Sequence, residues 1–283
     1  MEKTSRPCAV ALVTGSGRNI GREIALSLTA SGIAVAINVR SSVKEGQAVV
    51  DEIAALGGRA LLCIADVTDQ QAVVAMMAKI HKEWGRLDIL VNNAAIRHEA
   101  KVEDISTQDW HDTLAVILDG AFFCTQAALA LLRESDRAAI VNIGGMTAHT
   151  GAANRVHVVT AKAGLVGLTR ALAHDLSPDG ITVNCISPGM IDTARSTTSA
   201  SAAPQHHAKH HPLLGRRGTA HEVAATVAWL AGPAARFITG QTIHVNGGTY
   251  LGGWMGVQRF FIWTLVVTGS AQTSYPVNNR WPV

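Results

Sequence analysis

Two stretches of this chain combine residue types and spacing that suit chemistry. The first is Thr14-Gly15-Ser16-Gly17, continuing through Arg18, Asn19 and Ile20 to Gly21. Glycine lets a backbone bend sharply and come close to a ligand. The apolar run at 9–13 before the turn reads as a strand. After it, Ile24, Ala25 and Leu28 fall on one face of a helix. A helix opening out of such a turn offers free N–H groups and a positive dipole end, which suit a phosphate. The second stretch, 204–212, holds His206, His207, His210 and His211. The pairs 206/210 and 207/211 have metal-ligand spacing on a helix. No nearby carboxylate or cysteine completes a set, so we expect no metal site and a solvated, weakly cationic segment.

Composition narrows the class. The chain has 283 residues, 48% hydrophobic and 16% charged, with a formal net charge of +3. That is enough for one large α/β domain with a sizeable core, and too apolar for disorder. No lysine- or arginine-rich run points to nucleic acid. The N-terminus leads straight into the first strand, so no secretory signal is expected. The longest apolar run, 260–267, is too short to span a bilayer, so no membrane role is expected. Cys8, Cys63, Cys124 and Cys185 lie far apart in apolar segments. They read as buried free thiols in a reducing cytoplasm.

The elements that must position these residues alternate. Strands are predicted at 9–13, 33–39, 59–65, 87–91, 138–143, 181–186 and 241–245. Helices are predicted from Gly21, then at 43–56, 70–84, 107–133, 154–176 and 220–231. Segment 190–219 lacks clear periodicity. Repeated β–α alternation with apolar strands implies a parallel sheet covered by helices on both faces. Ligands of such sheets bind beyond the strands' C-terminal ends, near the switch in strand order. No domain boundary appears before about residue 253, so we read one domain over 1–253 and an extension over 254–283.

Thr14-Gly15…Gly21, Asp66-Val67, Asn92-Asn93-Ala94-Ala95, Lys162 and Ser187-Pro188-Gly189…Thr193 stand at the strand ends in this order. In order and spacing, residues 7–252 resemble the short-chain dehydrogenase/reductase family, specifically single-domain members akin to 3-oxoacyl carrier-protein reductases. The resemblance implies a Rossmann-type, doubly wound, three-layer α/β fold and a nicotinamide dinucleotide. It places Gly15, Ser16, Arg18, Asn19, Ile20 and Gly21 at the phosphates. Asn93, Ala94 and Ala95 line the ribose, while Pro188, Gly189, Ile191 and Thr193 meet the nicotinamide end. It assigns Asp66 to the adenine amino group and Val67 to the ring, although Asp66 could instead cap the following helix, in competition with Thr68 and Asp69. Asn19 replaces a usual glycine, and asparagine tolerates left-handed backbone. At the end of the second strand, family members that take NAD carry an acidic residue. Here Val39 is followed by Arg40 and Ser41, which suit a 2′-phosphate, so NADP(H) is expected.

The family's proton chemistry uses Asn, Ser, Tyr and Lys. This chain keeps Lys162 but has Ile117, Gly145 and Val158 at the other three positions. Lys162 alone can hold ribose hydroxyls through its charge. His157 and Thr147 are the candidate substitutes. His157, five residues before Lys162, points about 140° round the helix from it. Its alternative role is a polar helix residue at a subunit contact. His149 and Arg155 flank the same mouth. The region about 190–219 is the family's substrate lid, and the resemblance implies a homo-oligomer, dimer or tetramer, joined by the helices at 107–133 and 154–176. Two functions follow as alternatives: an NADP(H)-dependent oxidoreductase on a small carbonyl or alcohol with an altered proton relay, or a dinucleotide-binding sensor or scaffold without turnover.

Overall fold

In the computed structural model, residues 9–193 and 211–252 are described. The histidine-rich stretch except His211, the extension 254–283 and Cys8 lie outside them. Seven parallel strands form one sheet: β1 (Val10–Val13), β2 (Ala34–Val39), β3 (Ala60–Ile64), β4 (Ile89–Asn92), β5 (Ala139–Ile143), β6 (Thr182–Pro188) and β9 (Thr242–Val245). Their order is β3-β2-β1-β4-β5-β6-β9. Every residue of β1, β2, β4, β5 and β6 is buried, because helices cover both faces.

Strand alternation divides the core into two layers. On one face Leu12, Leu90 and Ile140 pack with Ile80 of helix α3 (Gln70–Trp84) and Leu132 of α5 (Gly120–Arg133). On the other, Val13, Ile37 and Val141 pack with Ile24 and Leu28 of α1 (Asn19–Ala30), Ile53 of α2 (Val43–Ala55) and Val227 of α8 (Ala220–Leu230). The family-type doubly wound α/β sheet is thus present. The segment 190–219, which shows no periodicity, contains the two-residue strands β7 (Ile191–Asp192) and β8 (Gly218–Thr219), paired in parallel. Thr219 and Glu222 then close a capping box on α8.

The predicted helix at 107–133 is continuous but not uniform. It begins as α4 (Thr107–Leu114), passes through a π turn at Ala115–Asp119, and continues as α5. Such single-turn widenings often mark functional positions, and this one contains Ile117. Asp69, rather than Asp66, caps α3 by accepting from the Gln71 and Ala72 amides. The helix predicted from 154 starts two residues later, as α7 (Val156–Leu176), because Asn154 is left-handed at φ 60°.

One buried carboxylate ties the sheet's lower edge together. Asp88 is 0% exposed. It accepts from the Val10 amide (2.7 Å), Arg86 Nε and Nη2 (2.9 and 2.6 Å) and the Ser135 hydroxyl (2.6 Å). Removing it leaves the Val10 amide and the Ser135 hydroxyl without this acceptor and breaks the ion pair of a fully buried carboxylate, a loss of about 3 kcal/mol. Asp88→Ala is therefore expected to lower unfolding stability by about that amount, read as a fall in the urea midpoint at unchanged m-value.

Candidate active site

The glycine turn sits where strand order reverses, between β1 and β4. Its anchor is Thr14, buried at the end of β1. The Thr14 hydroxyl accepts from the amides of Asn93 (2.9 Å) and Ala94 (3.0 Å) and donates to the Val91 carbonyl (3.3 Å). The Asn93 side chain donates in return to the carbonyls of Thr14 (2.9 Å) and Gly15 (3.0 Å). Gly15 is left-handed, and a Cβ on Gly21 would lie 2.5 Å from the Gly15 carbonyl. Asn19 is also left-handed, at φ 52°, in keeping with its tolerance of that region. Ser16 is buried, and its hydroxyl donates inward to the Val13 carbonyl at 2.8 Å. Arg18 is exposed at the N-cap of α1, whose first turn carries no acidic residue. Ile20 is core, and Ala95 is exposed beside the partly buried Ala94.

Asn38 on β2, which sequence reasoning passed over, accepts from the Gly15 amide at 3.2 Å and donates to the Cys63 and Ala65 carbonyls. It sets the turn's height above the sheet; a polar residue inside an otherwise apolar strand was the available signal. β2 ends at Val39, and Arg40 and Ser41 follow as exposed residues. The Arg40 guanidinium stands 4.0 Å from the Asp66 carboxylate. Asp66 itself accepts from the Thr68 amide (3.0 Å) and hydroxyl (2.8 Å). Val67 is buried against Gly120, where a Cβ would meet Val67 Cγ2 at 2.7 Å. At the other side, the Gly189 amide donates to Val245, and a Cβ there would strike Asn246 at 2.7 Å. Pro188 closes β6, Ile191 packs into the core, and Thr193 is partly buried.

Lys162 lies on α7, only 8% exposed, with its ammonium donating to the Ile143 carbonyl. A polar chain registers α7 on the sheet. The Asn92 side chain donates to that of Asn142 (2.9 Å), Asn142 to the Thr169 hydroxyl (2.9 Å), and Thr169 to the Leu165 carbonyl (2.8 Å). Burial pushes the Lys162 pKa down from 10.5 to about 8, helped by Arg97 and Arg155 and opposed by Cys185. Four residues earlier, Val158 is buried in a small apolar cluster with Ile117, Ala161 and the adjoining Leu114. At Gly145, by contrast, an added Cβ would meet nothing within 4 Å.

His157 is 0% exposed, and neither ring nitrogen has a hydrogen-bond partner. Its ring meets His98 edge-on at 5.7 Å between centroids, and His98 stands 3.9 Å from Asp109. Burial, with His98 next, lowers the pKa of His157. Thr147 is buried at the start of a short helix, α6 (Thr147–Thr150). No hydrogen bond joins Thr147, His157 and Lys162 among the described residues. His149 of α6 instead packs with His244 (4.7 Å) and Tyr250 (5.5 Å). His98, His244 and Tyr250 escaped sequence reasoning because only tertiary folding brings them to these neighbours.

The buried ammonium has a consequence for stability. The unfolded chain holds the Lys162 proton up to about pH 10.5, whereas the folded chain releases it above about 8. The folded state is therefore penalised below pH 8 and recovers as pH rises through that window. Lys162→Met is expected to be more stable than the parent at pH 7 by up to ~3 kcal/mol. The difference should fade between pH 8 and 10.5 in paired denaturant titrations.

Comparison with known proteins agrees with this geometry. Residues 15–250 match the family described as enoyl-(acyl carrier protein) reductase. The chain is 39% identical over 241 residues to the 3-oxoacyl-(acyl-carrier-protein) reductase FabG of Staphylococcus aureus, covering 85% of this chain and 98% of that protein. Among solved structures it is similar to a dehydrogenase/reductase from Sinorhizobium meliloti 1021 (TM-score 0.81, 35% identity, 87% of this chain and 96% of that one). It is also similar to a short-chain dehydrogenase from Burkholderia cenocepacia J2315 in complex with NADP (TM-score 0.79, 37% identity, 85% and 97% coverage). With a doubly wound sheet, a glycine turn at its switch point and relatives alike over most of their length, the chain belongs to the short-chain dehydrogenase/reductase family.

Proposed function

We propose that the chain is an NADP(H)-dependent oxidoreductase of a small carbonyl or alcohol, working with an impaired or altered proton relay. The observation that carries this reading is the pairing of an intact nucleotide turn with a buried, cationic-capable Lys162. The turn's residues fit a dinucleotide. Glycine at 15 and 21 lets the backbone approach closely, and α1 opens with free amides and no acidic residue in its first turn. Exposed Arg40 after Val39, with Arg18 near the turn, favours a 2′-phosphate over a free ribose hydroxyl. The similar Burkholderia cenocepacia protein is an NADP complex. A bound nicotinamide supplies the hydride.

The chain's own residues limit the proton step. Val158 has no proton to give, and Gly145 has no hydroxyl to hold a substrate oxygen. Each such group is worth on the order of 3 kcal/mol of barrier. Lys162 keeps a role that needs only charge, holding ribose hydroxyls, and the proton comes from water or from a group other than the usual tyrosine, with His157 and Thr147 the candidates. A second reading, a dinucleotide-binding sensor or scaffold without turnover, is favoured by the apolar cluster of Ile117, Val158, Ala161 and Leu114. Those side chains support one another where a relay would need polar groups.

The segments Thr107–Arg133 and Val156–Asp179 are long and strongly apolar, yet only 39% and 44% of their most apolar windows is buried. A second copy covering them would make the homo-oligomer, dimer or tetramer, of a cytoplasmic protein. The remaining parts are a lid at about 190–219 and an added segment at 254–283.

Fluorescence titration tests the cofactor: NADPH is expected to bind at least about tenfold more tightly than NADH, and Arg40→Glu to erase that preference. Single-turnover oxidation of NADPH over a carbonyl panel tests the chemistry. The wild type is expected to be slow. The pair Gly145→Ser and Val158→Tyr, with Ile117→Asn to relieve the apolar cluster, should raise the rate by roughly 100-fold or more. No turnover in either protein, with NADPH held, would select the sensor reading.

A further inference from the structure

We propose that His149 and His244 form a pH-sensitive latch, which holds helix α6 against the end of β9 while both imidazoles are neutral and opens when either is protonated. The latch is separate from the nucleotide turn and holds whether or not the chain is an oxidoreductase. His149 lies on α6, and His244 on β9. Their rings meet edge-on at 4.7 Å between centroids. Tyr250 completes the group, stacked on His149 at 5.5 Å and tilted against His244 at 4.9 Å. Three rings from separate stretches of the chain thus pack on one another.

This contact does not tolerate charge. Nε2 of His149 and Nδ1 of His244 are buried without a hydrogen-bond partner. A neutral imidazole can leave a bare lone pair at one nitrogen, whereas in the cation both nitrogens are donors. Protonation would therefore bury a charged N–H group with no acceptor. From α7, Arg170 acts on His149, and from α6, His149 acts on His244; Tyr250 is the remaining titratable group of the cluster. No carboxylate is among the groups that bear on either ring. Ser187, in register with His244 on the neighbouring strand, is buried, and its hydroxyl also has no partner. Burial, then Arg170, holds the pKa of His149 below 6.5; burial, then His149, does the same for His244. The latched state therefore takes up protons less readily than the open one. It is closed above about pH 6.5 and weakens as pH falls below that value.

The latch clasps the end of β6. α6 starts two residues after Gly145. Before it, the Met146 amide donates to the Pro188 carbonyl (3.0 Å), and beside His244 the Val245 carbonyl accepts from the Gly189 amide (2.9 Å). Opening the latch loosens 188–189 from both sides, at the strand ends where ligands of such sheets bind.

The test is hydrogen exchange on the full chain without nucleotide, at pH 7.5 and 5.5, corrected for intrinsic rates. At the lower pH, peptides covering 146–151 and 244–250 are expected to lose at least about fivefold more protection than α2, which contains no histidine. His149→Phe and His244→Phe keep a ring and remove the titration. Each should reduce the extra loss, and the double variant should abolish it, with circular dichroism confirming the fold. Titration of the wild-type imidazole protons by NMR needs no variant, and both rings are expected to titrate below 6.5. Either ring titrating at or above 6.5, a loss of protection no greater than that of α2, or an undiminished loss in the folded double variant overturns the proposal.

Discussion

The Thr14 hydroxyl is the joint on which the site depends. β1 and β4 are neighbours whose following helices leave on opposite faces of the sheet, so their ends diverge and open a crevice. One side chain closes that divergence: two successive amides, of Asn93 and Ala94, converge on a single oxygen. The Asn93 amide then holds the carbonyls of Thr14 and Gly15. The glycine turn is thus held from below by β4 and from the side by Asn38. Gly21 is required because its own α-carbon lies against this knot. In the nucleotide-binding role proposed for it, a turn already rigid before its ligand arrives avoids the affinity lost to ordering on binding.

The opposite half of the site follows a different logic. Asn92, Asn142 and Thr169 form a buried chain from β4 through β5 to α7, with every link near 2.9 Å. Buried polar chains of this kind favour a single arrangement, because a shifted helix would orphan several groups at once. The chain places Lys162 where its ammonium donates to the Ile143 carbonyl. Burial of this ammonium costs free energy, and its neighbours on the same helix, Val158 and Ala161, are apolar. Holding nucleotide hydroxyls, the role proposed for Lys162, would use that charge and need no proton donor.

The side chains at 117 and 158 are coupled physically. Ile117 sits in the π turn that separates α4 from α5, and Val158 in the first turns of α7; the two side chains pack together. A polar side chain beside either apolar residue would bury an unmatched group. Together they make a stable contact. The π turn carries Ile117 into this contact, which ties that local geometry to the packing of the helix pair.

Strand and helix order, the glycine turn, Arg40 after Val39 and the apolar residues at 117, 145 and 158 were legible in the sequence. Each depends on local periodicity, on turn chemistry or on one residue's type. The helix boundaries at Asn19 and Asn154 were less so, because left-handed asparagines act on a scale of one residue. The capping box that starts α8 was readable in principle from Thr219 and Glu222, but the segment before it carries no pattern. What only the tertiary structure decided is which polar atoms meet: Thr14 with Asn93, Asn142 with Thr169, His157 with His98. These partners lie 27 to 79 residues apart in the chain, or on separate elements. Side-chain hydrogen bonds act over a few ångströms, so no spacing along the sequence encodes them; the packing of helices on the sheet does.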